Sequence, residues 1–397
     1  MKCFDNTILV TRPYLPDLGE FKAGIGEIWK NQWLTNNGPM LKEFQAKLAE
    51  YLKVPETNIA LFNNGTLALE LGYYAMGLSG GDVITTPFTF VATSHALKRI
   101  GATPIFADID PETLCLSPSA AEKLITPRTK AIVPVHVYGN VCDVDGFERL
   151  SQKYGIPIIY DAAHAFGVTL GQSKSGVEVE QRSDSISIAA AGDMSMFSFH
   201  PTKLFHSCEG GCLVFKDPKI QAKLFELRNF AIHSETECVD VGSNAKMNEL
   251  QALMGLKCLE KIGELLEYRR KIYEAYAEVF DGPRSSSQTS GEGAASPLFA
   301  DTSVKLLPWS ANKAYVPVLF RDFETRERVY AELKEKCNVF SRRYFYPLLT
   351  DFAPYVYANG SCPVAEDIAK RVLTLPTYYG LDLEDVRDIA RNVMEMV

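Results

Sequence analysis

Between residues 59 and 161, short apolar runs that stop at a turn residue alternate with stretches of helical periodicity. Ile59–Phe62 runs into Asn63-Asn64-Gly65-Thr66 and then into the apolar-rich Leu67–Leu78, the order of a strand, a glycine turn and a helix start. The cycle repeats with strands at Asp82–Thr85, Pro104–Ala107, Lys130–Val135 and Ile156–Tyr160, separated by helices at Phe90–Ile100, Ala120–Ile125 and Val144–Tyr154. Strands alternating with helices of this length predict an α/β fold, a mostly parallel sheet covered on both faces. Ligands are expected beyond the carboxyl ends of its strands.

The remainder fits around that core. An amphipathic helix is predicted from Pro39 to Tyr51, strands at Ser183–Ala191 and Met194–Phe199, and Gly210–Phe215 as the partner in a hairpin. Helical periodicity over Glu249–Ile262 and Leu265–Phe280 is long enough to join a large domain to a smaller one, which carries a strand at Tyr315–Phe320 and helices at Glu324–Glu335 and Leu381–Met396. The expected division is an arm over 1–35, a large domain over 36–260 and a smaller α+β domain over 261–397, with a mobile polar loop at Gly282–Ser296. A chain of 397 residues, 46% apolar, can bury cores of that number.

Charge and cysteine usage narrow the class. Lysine plus arginine total 41 against 49 acidic residues, a net charge of −8 without a basic block, so no nucleic-acid surface is expected. Near the N-terminus only Ile8–Val10 is apolar before Thr11, Arg12 and Pro13, and no stretch reaches the ~20 apolar residues of a membrane span. Nine cysteines, an odd number without a Cys-x-x-Cys pair, suggest a reducing, cytoplasmic setting and no metal site.

The chemistry concentrates in three places. Ile158-Ile159-Tyr160-Asp161-Ala162-Ala163-His164 puts a carboxylate at the end of an apolar strand, where burial raises its pKa unless a cation pairs with it. A protonated pyridine nitrogen is such a cation, and keeping it protonated makes the ring an electron sink; a carboxylate capping the next helix is the alternative. Forty-two residues on, Lys203 closes the run Met196-Phe197-Ser198-Phe199-His200-Pro201-Thr202, with Glu209-Gly210-Gly211 following. That placement suits a Schiff-base lysine, with Ser198 near a phosphate and His200 at the rim, although a surface lysine before a hairpin reads the same way. Gly65-Thr66 adds a glycine for close backbone approach, a hydroxyl and a helix N-terminus, which together favour a phosphate.

These motifs resemble the sugar aminotransferases of the DegT/DnrJ/EryC1/StrS family, within the fold-type-I aspartate aminotransferase superfamily. The resemblance is carried by Leu34–Pro39, Asn63–Thr66, Pro87–Thr93, Phe106–Asp110, Pro134–Gly139, Asp161–Ala165, Phe197–Lys203, Glu209–Gly211 and Gly242–Glu249. It is close over the first two thirds of the chain and loose beyond. It implies a three-layer transferase fold that binds pyridoxal 5′-phosphate as a Schiff base on Lys203 and carries the amino group as pyridoxamine 5′-phosphate. Asp161 is implied at the pyridine nitrogen, His164 and Phe90 against the ring, and Gly65, Thr66 and Ser198 at the phosphate. Asn244 is implied to reach the phosphate of a neighbouring subunit, hence a homodimer with shared active sites. Lys203, Asp161 and His164 form the implied catalytic set.

L-glutamate is the implied amino donor and a nucleotide-linked keto-sugar the acceptor, dTDP-4-keto-6-deoxy-D-glucose first among them, for deoxyaminosugars of the O-antigen or lipopolysaccharide kind. A 3-aminotransferase is the main alternative; a sugar dehydratase, whose relatives replace the lysine with histidine, and a non-catalytic sensor are weaker ones. Asn36, Tyr138, His200, Lys246 and the cluster Arg342, Arg343, Tyr344 and Tyr346 are candidates for sugar or diphosphate contacts, since guanidinium forks suit phosphate and tyrosines stack on thymine. That cluster reads equally as a solvated surface turn. Two departures from the family stand out: the segment Gly171–Arg182, an expected surface insertion, and the Gly282–Ser296 loop.

Overall fold

The computed structural model describes residues 1–170, 186–281, 303–307, 312–358 and 360–397. The expected insertion at Gly171–Arg182 and the expected loop at Gly282–Ser296 lie outside those residues.

Seven strands make the central layer: β1 (Ile59–Phe62), β2 (Asp82–Thr85), β3 (Thr103–Phe106), β4 (Thr129–Ile132), β5 (Ile159–Asp161), β6 (Met194–Ser198) and β7 (Gly211–Phe215). They form two ladders, β3-β2-β4 and β5-β6-β7-β1, which the parallel bridges Ile132↔Ile158 and Val135↔Asp161 join into one sheet. Only β7 runs antiparallel to its neighbours, because it returns from β6 through a short connection, whereas parallel pairing needs a crossover. The expectation of a mostly parallel sheet therefore holds.

Side chains alternate across this sheet, and each face feeds its own core. Leu61, Tyr160, Cys212 and Val214 join a cluster with Leu41, Phe44 and Phe88, while Ala60, Phe62, Ile159 and Leu213 join another with Leu69, Leu97 and Leu224. Helices α1 (Leu18–Asn31) to α8 (Glu249–Leu259) supply the outer layers, including α2 (Pro39–Leu52), α3 (Gly65–Ala75), α4 (Val91–Arg99), α5 (Pro118–Glu122), α6 (Val144–Tyr154) and α7 (Ile220–Leu227). A short exposed hairpin, β8 (Ile232–Ser234) and β9 (Glu237–Cys238), follows α7. One buried carboxylate locks two of these helices together. Glu249, at the start of α8, accepts from the first amides of α2, Met40 N at 2.8 Å and Leu41 N at 3.1 Å.

A third core gathers residues from both ends of the chain. Strands β10 (Val304–Leu306), β11 (Val316–Phe320) and β12 (Val372–Leu375) form an antiparallel sheet that packs with α9 (Ile262–Phe280), α10 (Phe323–Cys337) and α12 (Leu383–Met396), while α11 (Pro363–Arg371) leads directly into β12. Phe4 and Ile8 are buried in the same cluster, and Ile8 bridges Val339. The stretch expected as an arm thus contributes to a core as well as forming α1.

Among the described residues one expected strand is not formed. Of Ser183–Ala191 the described part makes a single bridge, Thr169↔Ser187, and then a 3₁₀ turn at Ile188–Ala190. Ser187 is the cause: its hydroxyl accepts from Ala189 N at 3.2 Å, a local bond that competes with a ladder.

Candidate active site

Asp161 ends β5 at the seam where the two ladders meet, and its side chain is only 4% exposed. Its carboxylate accepts from Thr93 Oγ1 at 2.7 Å and from Ala163 N at 3.1 Å. Thr93 lies on α4, one turn after Thr89, and the two hydroxyls are 3.1 Å apart. Burial pushes the Asp161 carboxyl pKa up, while these two bonds and the charge of Lys203 pull it back. The helix-cap alternative fails, because turns rather than a helix follow Asp161. What remains is a buried, oriented acceptor suited to a cationic partner.

The ends of β1, β6 and β7 crowd together beside it. A Cβ on Gly211 would lie 2.8 Å from Gly65 Cα, so Gly211 is needed for this approach, and one on Gly65 would lie a tight 3.0 Å from Ser198 Cβ. Gly65 opens α3, whose N-cap Asn64 accepts from Leu67 N at 2.8 Å. The amides of Gly65 and Thr66 sit in the first turn, where helices lack internal acceptors and attract anions. Asn244 borders this cup from the same chain: its carbonyl accepts from Asn63 Nδ2 at 3.4 Å, and its side-chain oxygen accepts from Lys246 Nζ at 2.9 Å.

Lys203 follows β6 after a turn closed by its amide to the His200 carbonyl at 2.9 Å. Its amine donates to Tyr315 Oη at 3.2 Å. Burial, with Lys203 and Arg342 nearby, drives the His164 pKa well below its usual value, so the ring is neutral; its Nδ1 accepts from Tyr138 N at 3.1 Å. The His164 ring lies 4.5 Å from that of Tyr315 and is nearly parallel to Phe345 at 5.9 Å. A cleft opens beside Lys203, lined by Thr11, Thr202, Tyr315, Arg342, Tyr344 and Thr374.

The late cluster splits by side. Arg342 bridges Thr374 in extended backbone, so neighbouring side chains point oppositely. Arg342 and Tyr344 line the cleft, with the guanidinium 4.8 Å from the tyrosine ring centroid. Arg343 instead donates to Glu327 at 2.7 Å and packs on Tyr330, and Tyr346 lies against Arg326 and Phe323.

Asp161, His164, Lys203, Tyr138, Arg342 and Tyr344 are therefore brought together, and Gly65 with Ser198 forms a second group. Tyr138 is fully buried, its hydroxyl committed to the Tyr344 carbonyl. Phe90 is the N-cap of α4, 49% exposed, directly after Thr89. Asn36 is exposed with φ of 63°. The side chain of His200 turns to Thr202 Oγ1 at 2.8 Å, and that of Lys246 to Asn229 and Asn244. Sequence reasoning missed Thr93 as the Asp161 partner and Tyr315 as the Lys203 partner. Thr93 lay inside a quoted motif, but nothing in its spacing pointed at a residue 68 positions later.

Carboxylate, amine and anion cup fit the ring nitrogen, aldehyde and phosphate of pyridoxal 5′-phosphate. Comparison with known proteins agrees. Residues 18–394 match the DegT/DnrJ/EryC1/StrS aminotransferase family. The dTDP-4-amino-4,6-dideoxy-D-glucose transaminase of Shigella dysenteriae is 39% identical, over 99% of this chain and all of its own, and the Escherichia coli enzyme of that name is 36% identical over 98% and 99%. The solved structure of DesI in the presence of its TDP-sugar product superposes with a TM-score of 0.84 at 32% identity, covering 100% of this chain and 94% of that one. Helicobacter pylori PseC, an aminotransferase involved in pseudoaminic acid biosynthesis, gives 0.83 at 26% identity over 98% and 99%. With that fold, and with a site built for pyridoxal phosphate and its pyridoxamine form, this chain belongs to the DegT/DnrJ/EryC1/StrS aminotransferase family.

Proposed function

We propose that the chain transfers the amino group of L-glutamate to C4 of dTDP-4-keto-6-deoxy-D-glucose, working as a cytoplasmic homodimer with shared active sites. The observation that carries this reading is the buried Asp161 carboxylate within electrostatic reach of Lys203, whose amine is bonded to Tyr315 in the wall of a cleft carrying Arg342. The two transaminase relatives support the choice of sugar and nucleotide. No helix among the described residues is long and apolar enough to cross a membrane, and all nine cysteines are free.

Pyridoxal phosphate, when bound, supplies an electrophilic aldehyde carbon and a ring that accepts electrons. Asp161 keeps the proton on the ring nitrogen, with Thr93 fixing the carboxylate's angle. Lys203 would take the α-proton of the donor onto its amine and later give a proton back, one group acting as base and then as acid. Neutral His164 and Phe90 are the residues that would lie against the cofactor's ring. Gly65, Thr66 and Ser198 hold the phosphate, and Asn244 adds a donor to the partner subunit's phosphate. Arg342 meets the diphosphate and Tyr344 stacks beside it. Asn36, His200 and Lys246 complete the outer rim, and Tyr138 acts on substrate through Tyr344, whose backbone it holds. In this assignment 36–260 is the cofactor domain, 261–397 the smaller domain and 1–35 the arm.

The test is incubation with glutamate and a panel of dTDP-, UDP- and GDP-linked 3-keto and 4-keto sugars, with the new amine located by NMR. An amine at C4 of the dTDP sugar is expected. Amination at C3, preference for another nucleotide, or loss of a sugar hydroxyl instead would overturn the assignment.

A further inference from the structure

Lys203 needs its amine in one place for two opposite acts, taking a proton from one carbon and releasing a proton to another. A lysine side chain has four rotatable bonds, so an unrestrained amine would sample many places. Among the described residues it is held by a phenol. Lys203 Nζ lies 3.2 Å from Tyr315 Oη and 5.9 Å from that ring's centroid, so the contact is with the hydroxyl rather than the π face.

The phenol is itself fixed from two directions. Its ring is stacked at 28° on Tyr344, with centroids 5.8 Å apart, and packs 4.5 Å from His164 and 5.7 Å from Tyr138. Its backbone is tied to the cofactor side of the site. Asn312 Nδ2 donates to the carbonyls of His164 at 2.8 Å and Phe166 at 2.9 Å, and Asn312 Oδ1 accepts from Ala314 N at 3.2 Å. The turn that leads into Tyr315 is thereby fastened to the segment that begins at Asp161, although the two are some 150 residues apart in sequence. Burial pushes the Tyr315 phenol pKa up, so its proton stays on oxygen.

We infer that Tyr315 is a positioning residue for Lys203, its hydroxyl docking the amine in both protonation states so that the proton is collected and delivered along one path. A neutral phenol can do this because it carries a donor and an acceptor. Toward the ammonium it accepts; toward the free amine it donates. In the exchange the donor's Cα–H bond would break, its proton moving to Lys203 nitrogen and its electron pair into the electron-accepting ring; a Lys203 N–H bond would then break, that proton and the same electron pair making the new C–H bond. Tyr315 gains and loses nothing. The inference rests on Lys203 being the proton carrier of the proposed reaction.

The test compares wild-type full chain with Tyr315→Phe, which keeps the ring, and Asn312→Ala, which loosens its mooring. First, reaction of the Lys203 amine with an acylating reagent is followed against pH by peptide mass spectrometry, without cofactor or substrate. Then the glutamate half-reaction of the holoenzyme is followed by absorbance with protiated and α-deuterated glutamate. For Tyr315→Phe we expect faster labelling of the undocked amine, a half-reaction about 10- to 100-fold slower, a larger deuterium isotope effect, and KM for glutamate within about twofold. Asn312→Ala should shift all of these the same way but less. Unchanged labelling and isotope effect in Tyr315→Phe, or a loss confined to KM, would overturn the inference. A wild type whose cofactor band ignores glutamate would instead overturn the aminotransfer reading, and this inference with it, even if the labelling profiles differ.

Discussion

The site has a floor and a wall, and they are built differently. The floor comes from the ends of β1, β5, β6 and β7. There Asp161 is held by a hydroxyl and an amide, and Gly65 and Gly211 meet at a distance no side chain would allow. The wall comes from the approach to β11 and from residues 342–345, where Tyr315, Tyr344 and Phe345 pack ring on ring against His164. Backbone geometry fixes the floor, so a side chain added at Gly211 would disturb it. Ring contacts worth about 0.5–1.5 kcal/mol each fix the wall, which can be redrawn by exchanging side chains. On the proposed function, the steps common to every amino transfer would rest on the floor, with Tyr315 reaching across from the wall to Lys203, and the choice of acceptor on the rest of the wall.

Substitutions can break or sharpen that division. The largest effect is expected from Lys203→Ala, which removes both attachment and proton transfer. Turnover should fall by at least about 10⁴-fold, with circular dichroism unchanged. Asp161→Asn should lower kcat by about 10²–10³-fold, because the amide no longer favours a proton on the ring nitrogen. Stability should move the other way. Burial raises the folded-state pKa of Asp161, so its contribution is fully present below the unfolded value of about 3.9 and is lost as pH rises through the folded value. The cofactor-free Asn variant should therefore melt a degree or two above wild type near pH 7 and match it at strong acid, as differential scanning calorimetry can show.

A wall substitution should split the kinetic constants instead. Arg342→Gln removes a charged partner at the cleft, so KM for the nucleotide sugar should rise about 10-fold while kcat stays within a few fold. Equal losses in kcat with unchanged KM would move Arg342 onto the floor. The smallest effect near neutrality concerns His136, fully buried behind the floor with its ring stacked 4.7 Å from Tyr160. Burial depresses its folded pKa to about 3. Its stabilising contribution is complete above the unfolded pKa of about 6.5 and is lost as pH falls toward the folded value, by up to about 1.4 kcal/mol per pH unit. Urea midpoints measured at pH 7.5 and pH 5 should separate more for wild type than for His136→Gln.

The same division explains what could be read from the chain. Asp161, Lys203 and Gly65 were legible because a strand end, a turn and a helix start each leave a local pattern, and that pattern is what positions them. The parallel sheet was legible for the same reason. Tyr315 was visible only as the edge of a strand, since its role depends on a contact 112 residues away. Arg342 and Arg343 look alike in sequence, yet one lines the cleft and the other pairs with Glu327, a split that only the register against β12 decides. Phe4 and Ile8 joined a core at the far end of the chain through long-range packing that no local period records.

Chemical trapping reaches the claim beneath all of this. The full chain, loaded with pyridoxal phosphate and reduced with borohydride, is digested and its peptides are mapped by mass spectrometry. The account predicts a single pyridoxyl label, on Lys203. A label on another lysine, or none at all on a folded and cofactor-saturated protein, would contradict it.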